Sequence, residues 1–122
     1  MTEAKEIVRE LVCSLDKHKA QDIRVIEVTD VTSLADYFVI AAGGSSTQVR
    51  ALADYAEGEL QEKGITPLRT EGQHTSGWML LDYGCVVVHV FHSETRRFYD
   101  LERLWKDGRQ IDITQFIPEQ QG

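Results

Sequence analysis

A chain of 122 residues holds one ordinary domain and leaves little room for a second. Its 42% hydrophobic and 27% charged residues exclude wholesale disorder, and no apolar run nears the roughly 20 residues that cross a bilayer. Twenty acidic against thirteen basic residues leave a net charge of −7. That balance argues for little or no independent nucleic-acid binding, because phosphate neutralisation needs clustered positive charge, and it favours a basic partner. The opening residues Met1 to Glu6 are polar and acidic, unlike a secretory signal. Two cysteines, Cys13 and Cys85, in a chain that needs no staple point to a reduced, cytoplasmic location.

Ala4, Ile7, Val8, Leu11, Val12 and Leu15 recur at helical spacing, which predicts an amphipathic helix over 3–18. Ile23, Val25 and Val28 alternate along a first strand over 22–29. The continuous apolar run over 36–42 reads as a strand buried on both faces, ending at Gly43-Gly44. A second helix opens at Ser45 or Ser46, a good capping type, and runs to about residue 63. Gly64 suits the left-handed position after its end. Residues 65–69 read as a short strand that Pro67 confines to an edge or a strand end. Residues 71–77 read as loop, and 78–81 with 86–91 as a hairpin. A third helix is expected over 95–105, with a tail over 106–122 that is partly flexible. The pattern is an α/β domain of order αββαβββα, with a mixed, roughly five-stranded sheet and packed helices. The strand, helix and strand within 36–69 imply a right-handed crossover.

The chemistry these residues support is sparse. Gly43-Gly44-Ser45-Ser46 between strand and helix could present amides to an anion, yet it lacks a P-loop lysine and dinucleotide spacing. A tight strand-to-helix turn with a capping serine is the favoured reading, since such turns are common for backbone reasons. Nucleotidyl transfer would need carboxylates converging on metal ions. Acid-x-acid spacing occurs only at Glu57/Glu59 and Asp100/Glu102, both in expected helices where such residues diverge, and Asp82 stands alone. His89 and His92 point to opposite faces of one strand, and neither cysteine has a neighbour at zinc-ligand spacing. No nucleophile elbow is present. The expectation is therefore no catalytic residue, no cofactor and no metal.

The hairpin admits two registers. A turn at Tyr83-Gly84 pairs Asp82 with Cys85 and sets Trp78 and Leu80 beside Val87 and His89. A three-residue loop with Gly84 left-handed pairs Leu81 with Cys85 and sets Trp78 beside the valines, and Gly84 favours this one. In both, Val86, Val88 and Val90 are core and His89 belongs to the other face. Trp78 is either a large core residue or an anchor for a partner.

Several stretches together resemble the ribosomal silencing factor family, also called RsfS or Iojap-like. They are Asp36-Tyr37-Phe38-Val39-Ile40, Gly43 with Ser45-Ser46 and Gln48-Val49, Glu71-Gly72, Gly77-Trp78 and Asp82-Tyr83-Gly84. Val86-Val87-Val88-His89-Val90-Phe91 and the run from Arg96-Arg97-Phe98-Tyr99 through Asp100-Leu101-Glu102-Arg103-Leu104-Trp105 complete the set. The resemblance covers about residues 4–105. Cys85, where the family commonly has aspartate, and Thr47, where it often has arginine, depart from the pattern.

The resemblance implies one domain over 1–105, a nucleotidyltransferase-like fold without a retained catalytic site, and no enzymatic activity. It implies binding to large-subunit ribosomal protein 14, which blocks joining of the ribosomal subunits and represses translation when nutrients are short. The residues expected at the partner contact are Trp78 as anchor, Tyr83, His89 and Tyr99, with Arg96 and Arg97 as a hydrogen-bonding rim. An exposed aromatic face leaves a homodimer open for the free protein. The rival readings are a residual nucleotide-binding enzyme using Gly43 to Ser46 and Asp82, and a large-subunit assembly factor.

Overall fold

The computed structural model describes residues 3–72, 77–93 and 107–117. The expected helix at 95–105, with Arg96, Arg97 and Tyr99, lies outside them. Helix α1 spans Ala4–Lys17 and buries Ile7, Val8, Leu11, Val12 and Leu15, the stripe its spacing predicts. It closes in a Schellman turn with Lys19 left-handed at φ 65°. There the Lys19 N–H donates to Asp16 O at 3.0 Å and the Ala20 N–H to Leu15 O at 2.9 Å. Strands β1 (Gln21–Glu27) and β2 (Tyr37–Gly43) follow. Helix α2 (Ser46–Gln61) begins where the Ser45 hydroxyl accepts from the Gln48 N–H at 3.1 Å. It ends on a second Schellman turn, with Gly64 at φ 79° and the Ile65 N–H donating to Leu60 O at 2.9 Å.

Strand β3 is Arg69–Glu71, β4 is Trp78–Asp82, β5 is Val86–His92 and β6 is Arg109–Ile111, followed by a 3-10 turn at Ile113–Gln115. The sheet has six strands in the order β3-β4-β5-β2-β1-β6. Only β2 and β5 pair in parallel; β1 is antiparallel to β2 and β6, and β4 to β3 and β5. The mixed sheet is as expected, with three differences. Strand β3 begins at Arg69 rather than 65, because Pro67 has no N–H to give a ladder. Pairing starts just after it, where the Leu68 N–H donates to Asp82 O at 2.7 Å. β3 runs parallel to β2 as the crossover requires, yet β4 and β5 stand between them. Residues 109–111 supply a sixth strand that three residues are too few to announce by alternation.

Both helices cover one face of the sheet. Val25, Tyr37, Val39, Ala41, Met79, Leu81, Tyr83, Val86, Val88 and Val90 pack there against α1 and α2. Phe116 closes the end of this core at 9% exposure, and its carbonyl accepts from the Cys13 thiol at 2.9 Å. The opposite face carries a second cluster of Ile26, Val28, Ala35, Ile40 and Phe91, with Phe38, Trp78 and Val87 half-buried against it. Among the described residues no helix is long and apolar enough to cross a membrane.

Two glycines test this packing in opposite directions. Gly72 has φ 92°, and a Cβ there would overlap the Trp78 carbonyl oxygen. Gly72→Ala should cost about 3 kcal/mol from strain and overpacking together. Gly58, inside α2, has nothing within 4 Å of an added Cβ. Gly58→Ala should gain about 0.5–1 kcal/mol from helix propensity. Urea unfolding of the two variants against the parent checks both signs.

Candidate functional site

The β4–β5 hairpin positions the expected contact residues, so its register decides the site. Trp78 pairs with Phe91, Leu80 with His89 and Asp82 with Val87. The Tyr83 N–H donates to Val86 O at 2.8 Å, leaving Gly84-Cys85 as a two-residue turn. Gly84, at φ 87°, occupies the first turn position, the place a II′ hairpin reserves for glycine. Neither expected register is met, because both paired Cys85 across the hairpin. The observed turn lies one residue later. Its parity nevertheless agrees with the first register, so Trp78 and Leu80 share a face with Val87 and His89. The left-handed Gly84 belongs to the shorter turn and not to a three-residue loop.

Trp78 is half-buried against the second cluster, between the two sequence readings of it. His89 is a neighbour on the same face. Its ring meets Phe38 edge-on at 5.5 Å and lies parallel to Phe91 at 5.8 Å. Its Nδ1 is buried with no hydrogen-bond partner. Burial pushes the His89 pKa from 6.5 down to about 4. At neutral pH the imidazole is therefore an uncharged member of an aromatic row.

Tyr83 falls on the other face. It is 8% exposed within the helix-side core, and its hydroxyl is buried without a partner. Burial pushes its phenol pKa up, and the Glu57 carboxylate adds to the shift. The fold thus brings Trp78 and His89 together and sets Tyr83 behind them. Sequence reasoning passed over Phe38, which completes the row beside His89, because a continuous apolar run does not reveal which residues face which layer.

Asp82, Glu59 and the two glycines of the strand-to-helix turn have other engagements, while Asp100 and Glu102 lie outside the described residues. Asp82 binds Arg69 Nε at 3.1 Å and accepts the Gly84 N–H at 2.8 Å, tying β3 to the turn. Glu59 bonds His18 at 2.7 Å; burial raises its carboxyl pKa, but His18 and Lys17 outweigh that and hold it low. At the strand-to-helix turn the Gly44 N–H donates to the Gln48 side chain at 2.6 Å. A Cβ on Gly43 would lie 3.1 Å from the Val49 nitrogen, so close backbone approach explains the glycine. Among the described residues no group of three or more His, Cys, Asp or Glu could hold a metal ion.

The family model for "Ribosomal silencing factor during starvation" matches residues 1–122. "Ribosomal silencing factor RsfS" of Bacillus subtilis is 38% identical over 109 residues, covering 89% of this chain and 92% of that protein. "Mitochondrial assembly of ribosomal large subunit protein 1" of mouse is 34% identical over 105 residues, 84% of this chain and 46% of that one. A crystal structure of a Chromobacterium violaceum protein superposes with a TM-score of 0.82 at 36% identity, covering 86% of this chain and 88% of that chain.

His89 gives the site a pH signature. With the folded pKa below the unfolded value, the unfolded chain binds the proton more readily. The stability from this group is complete above pH 6.5 and is lost as pH falls toward 4. The loss should be on the order of 3 kcal/mol. His89→Phe should remove this component, read as the difference between the two proteins' pH–stability curves. Tyr83→Phe removes an unpaired buried hydroxyl and should leave stability unchanged or raise it by about 1 kcal/mol in urea melts.

Proposed function

Since the chain belongs to the ribosomal silencing factor family, we propose that it represses translation by binding large-subunit ribosomal protein 14 and holding the ribosomal subunits apart. The observation that carries this reading is the family match across the chain, joined by silencing factors that align over nearly their full length. The charge supports it, since a chain of −7 is steered toward a basic ribosomal protein. A non-catalytic role is supported by the engagements of Asp82 with Arg69 and of the Gly44 N–H with Gln48, which occupy groups that the nucleotide-enzyme reading would use.

The mechanism is occupancy. A standard interface takes about 800 Å² from each partner, roughly a tenth of the 7522 Å² surface of this chain. Covering that much of the subunit-facing surface prevents close docking of a second body. Trp78 is the anchor, presented half-buried so that its remaining face can be desolvated by the partner. His89 and Phe91 form the neutral bed beside it, Arg96 and Arg97 supply the hydrogen-bonding rim, and Tyr99 joins the contact. Tyr83 acts from behind, by supporting the turn. Repression under nutrient limitation, in the cytoplasm, is the setting this reading gives the protein. The second reading, an assembly factor on the maturing large subunit, is favoured by the name of the mouse relative. Accumulation of large-subunit precursors on loss of the protein would favour it over repression.

Order of addition tests the mechanism. Added to separated subunits, the protein should co-sediment with the large subunit and keep the two apart in sucrose gradients. Added to joined ribosomes it should do little, because its surface is already covered. Splitting joined ribosomes as readily as blocking joining, or sedimentation with the small subunit, contradicts the reading. Trp78→Ala should weaken large-subunit binding by about 2–4 kcal/mol.

A further inference from the structure

One end of the sheet gathers features that the Trp78 contact does not use. β2 and β5 start there, β1 and β4 finish there, and Leu68 lies just before β3. Leu34 is 83% exposed, Leu68 76% and Val31 37%. Single exposed leucines are ordinary; two of them with an exposed valine at one end of one sheet are less so. Hydrogen bonds and contacts join these residues along one rim. The Leu68 N–H donates to Asp82 O at 2.7 Å, and its Cδ1 lies 3.3 Å from the position a Cβ on Gly84 would take. The next residue, Cys85, accepts at its carbonyl from the Asp36 N–H at 2.8 Å and the Tyr37 N–H at 3.1 Å. The connection before Asp36 is held by Val31 and Thr32 N–H groups donating to Val28 O, and by the Leu34 N–H donating to the Thr32 hydroxyl at 3.1 Å. The rim therefore presents its aliphatic groups from preset backbone, which lowers the ordering cost of binding.

The charges around it choose the occupant. Glu3, Glu27, Asp30, Asp36 and Asp82 stand against Lys5, Arg69 and Arg109, and Arg69 is already bonded to Asp82 at 3.1 Å. A nucleic-acid backbone would be repelled. A second copy would set like charges against each other in a chain that is already −7. A protein segment bearing lysine or arginine beside an apolar side chain meets both demands.

We propose that the rim of Leu34, Leu68 and the Gly84-Cys85 turn is a second docking surface, which takes a basic, apolar-tipped segment of a large-subunit ribosomal protein. It rests on the reading that the chain acts on the large subunit, and adds a surface to it. Trp78 and Asp82 bound the five residues of β4, so the rim lies about 14 Å from the tryptophan along that strand. Two contacts at that spacing orient the protein on its site, where one anchor would leave it free to swivel.

Purified large subunits are the probe. A photo-reactive benzophenone amino acid replaces Leu34, Leu68 or, as a control, Tyr55, which is 51% exposed on α2. Irradiation should link the Leu34 and Leu68 positions to one ribosomal protein, through a lysine- or arginine-bearing segment, and the Tyr55 position to nothing reproducible. Leu34→Ser with Leu68→Ser should lower large-subunit affinity at least tenfold with an unchanged melting temperature. Linkage to ribosomal RNA or to a second copy overturns the proposal, as do rim yields no higher than at Tyr55 or full-strength binding by the double variant. If the unmodified protein fails to sediment with large subunits, the ribosomal reading itself falls. If it sediments without rim linkage, only the second surface does.

Discussion

The tight turn at Gly84-Cys85 governs which side chains meet the helices and which meet the outside. Side chains alternate along β5, so a slip of one residue in the hairpin would move every β4 side chain to the other face. With a two-residue turn, Met79 and Leu81 join Val86, Val88 and Val90 under the helices, while Trp78 and Leu80 join His89 and Phe91. The parallel pairing of β5 with β2 passes the same division on to Val39 and Ala41 on one side and Phe38 and Ile40 on the other. One glycine at positive φ thus sorts the residues of three strands.

The two faces have different chemical characters. The helix side is mostly aliphatic, with Tyr37, Tyr83 and Phe116 as its aromatic members, and burial is the main source of its stability. The opposite side is aromatic and carries a histidine whose ring is kept neutral by the same burial that keeps Phe91 dry. A surface built that way recognises by shape and contact area, with charge placed at its margins. That division suits the proposed role of occupying a place on a larger body.

Helical periodicity made α1 and α2 legible to within a residue or two, including the serine cap and Gly64, because each helix buries one continuous stripe. β2 was legible from its unbroken apolar run, as a strand buried on both faces, and β5 from a valine-rich run following the turn signal at Gly84. The turn at Gly84 was not, since a left-handed glycine serves a two-residue and a three-residue loop equally well. β6 was hidden because its three residues are two exposed polar ones and one isoleucine, and only the partner edge of β1 makes them a strand. Within the candidate site, alternation put His89 on the outer face in both expected registers, whereas Trp78 stayed open, because the register that Gly84 favoured would have turned it toward the valines. Tyr83 was assigned to the contact by proximity in sequence, whereas hairpin parity sends its ring to the far face. Leu34 and Leu68 carry no periodic signal at all; their meaning lies in the hydrogen bonds that place them on one rim.

The attachment of the last described residues bears on how the domain opens. Tyr37 and Val86 pair across 49 positions, but the contact between Cys13 and Phe116 spans 103. Loop-closure entropy grows slowly, so the longer closure costs less than about 1 kcal/mol more. Against it stand three paired residues, the buried Phe116 with Ile111, Ile113 and Ile117 packed near it, and a thiol donor, which is a weak one. The C-terminal segment is thus an edge of the sheet that can be released without unfolding the rest. Each release bares the outer edge of β1, and the exchange of its amide hydrogens with solvent keeps time with that opening.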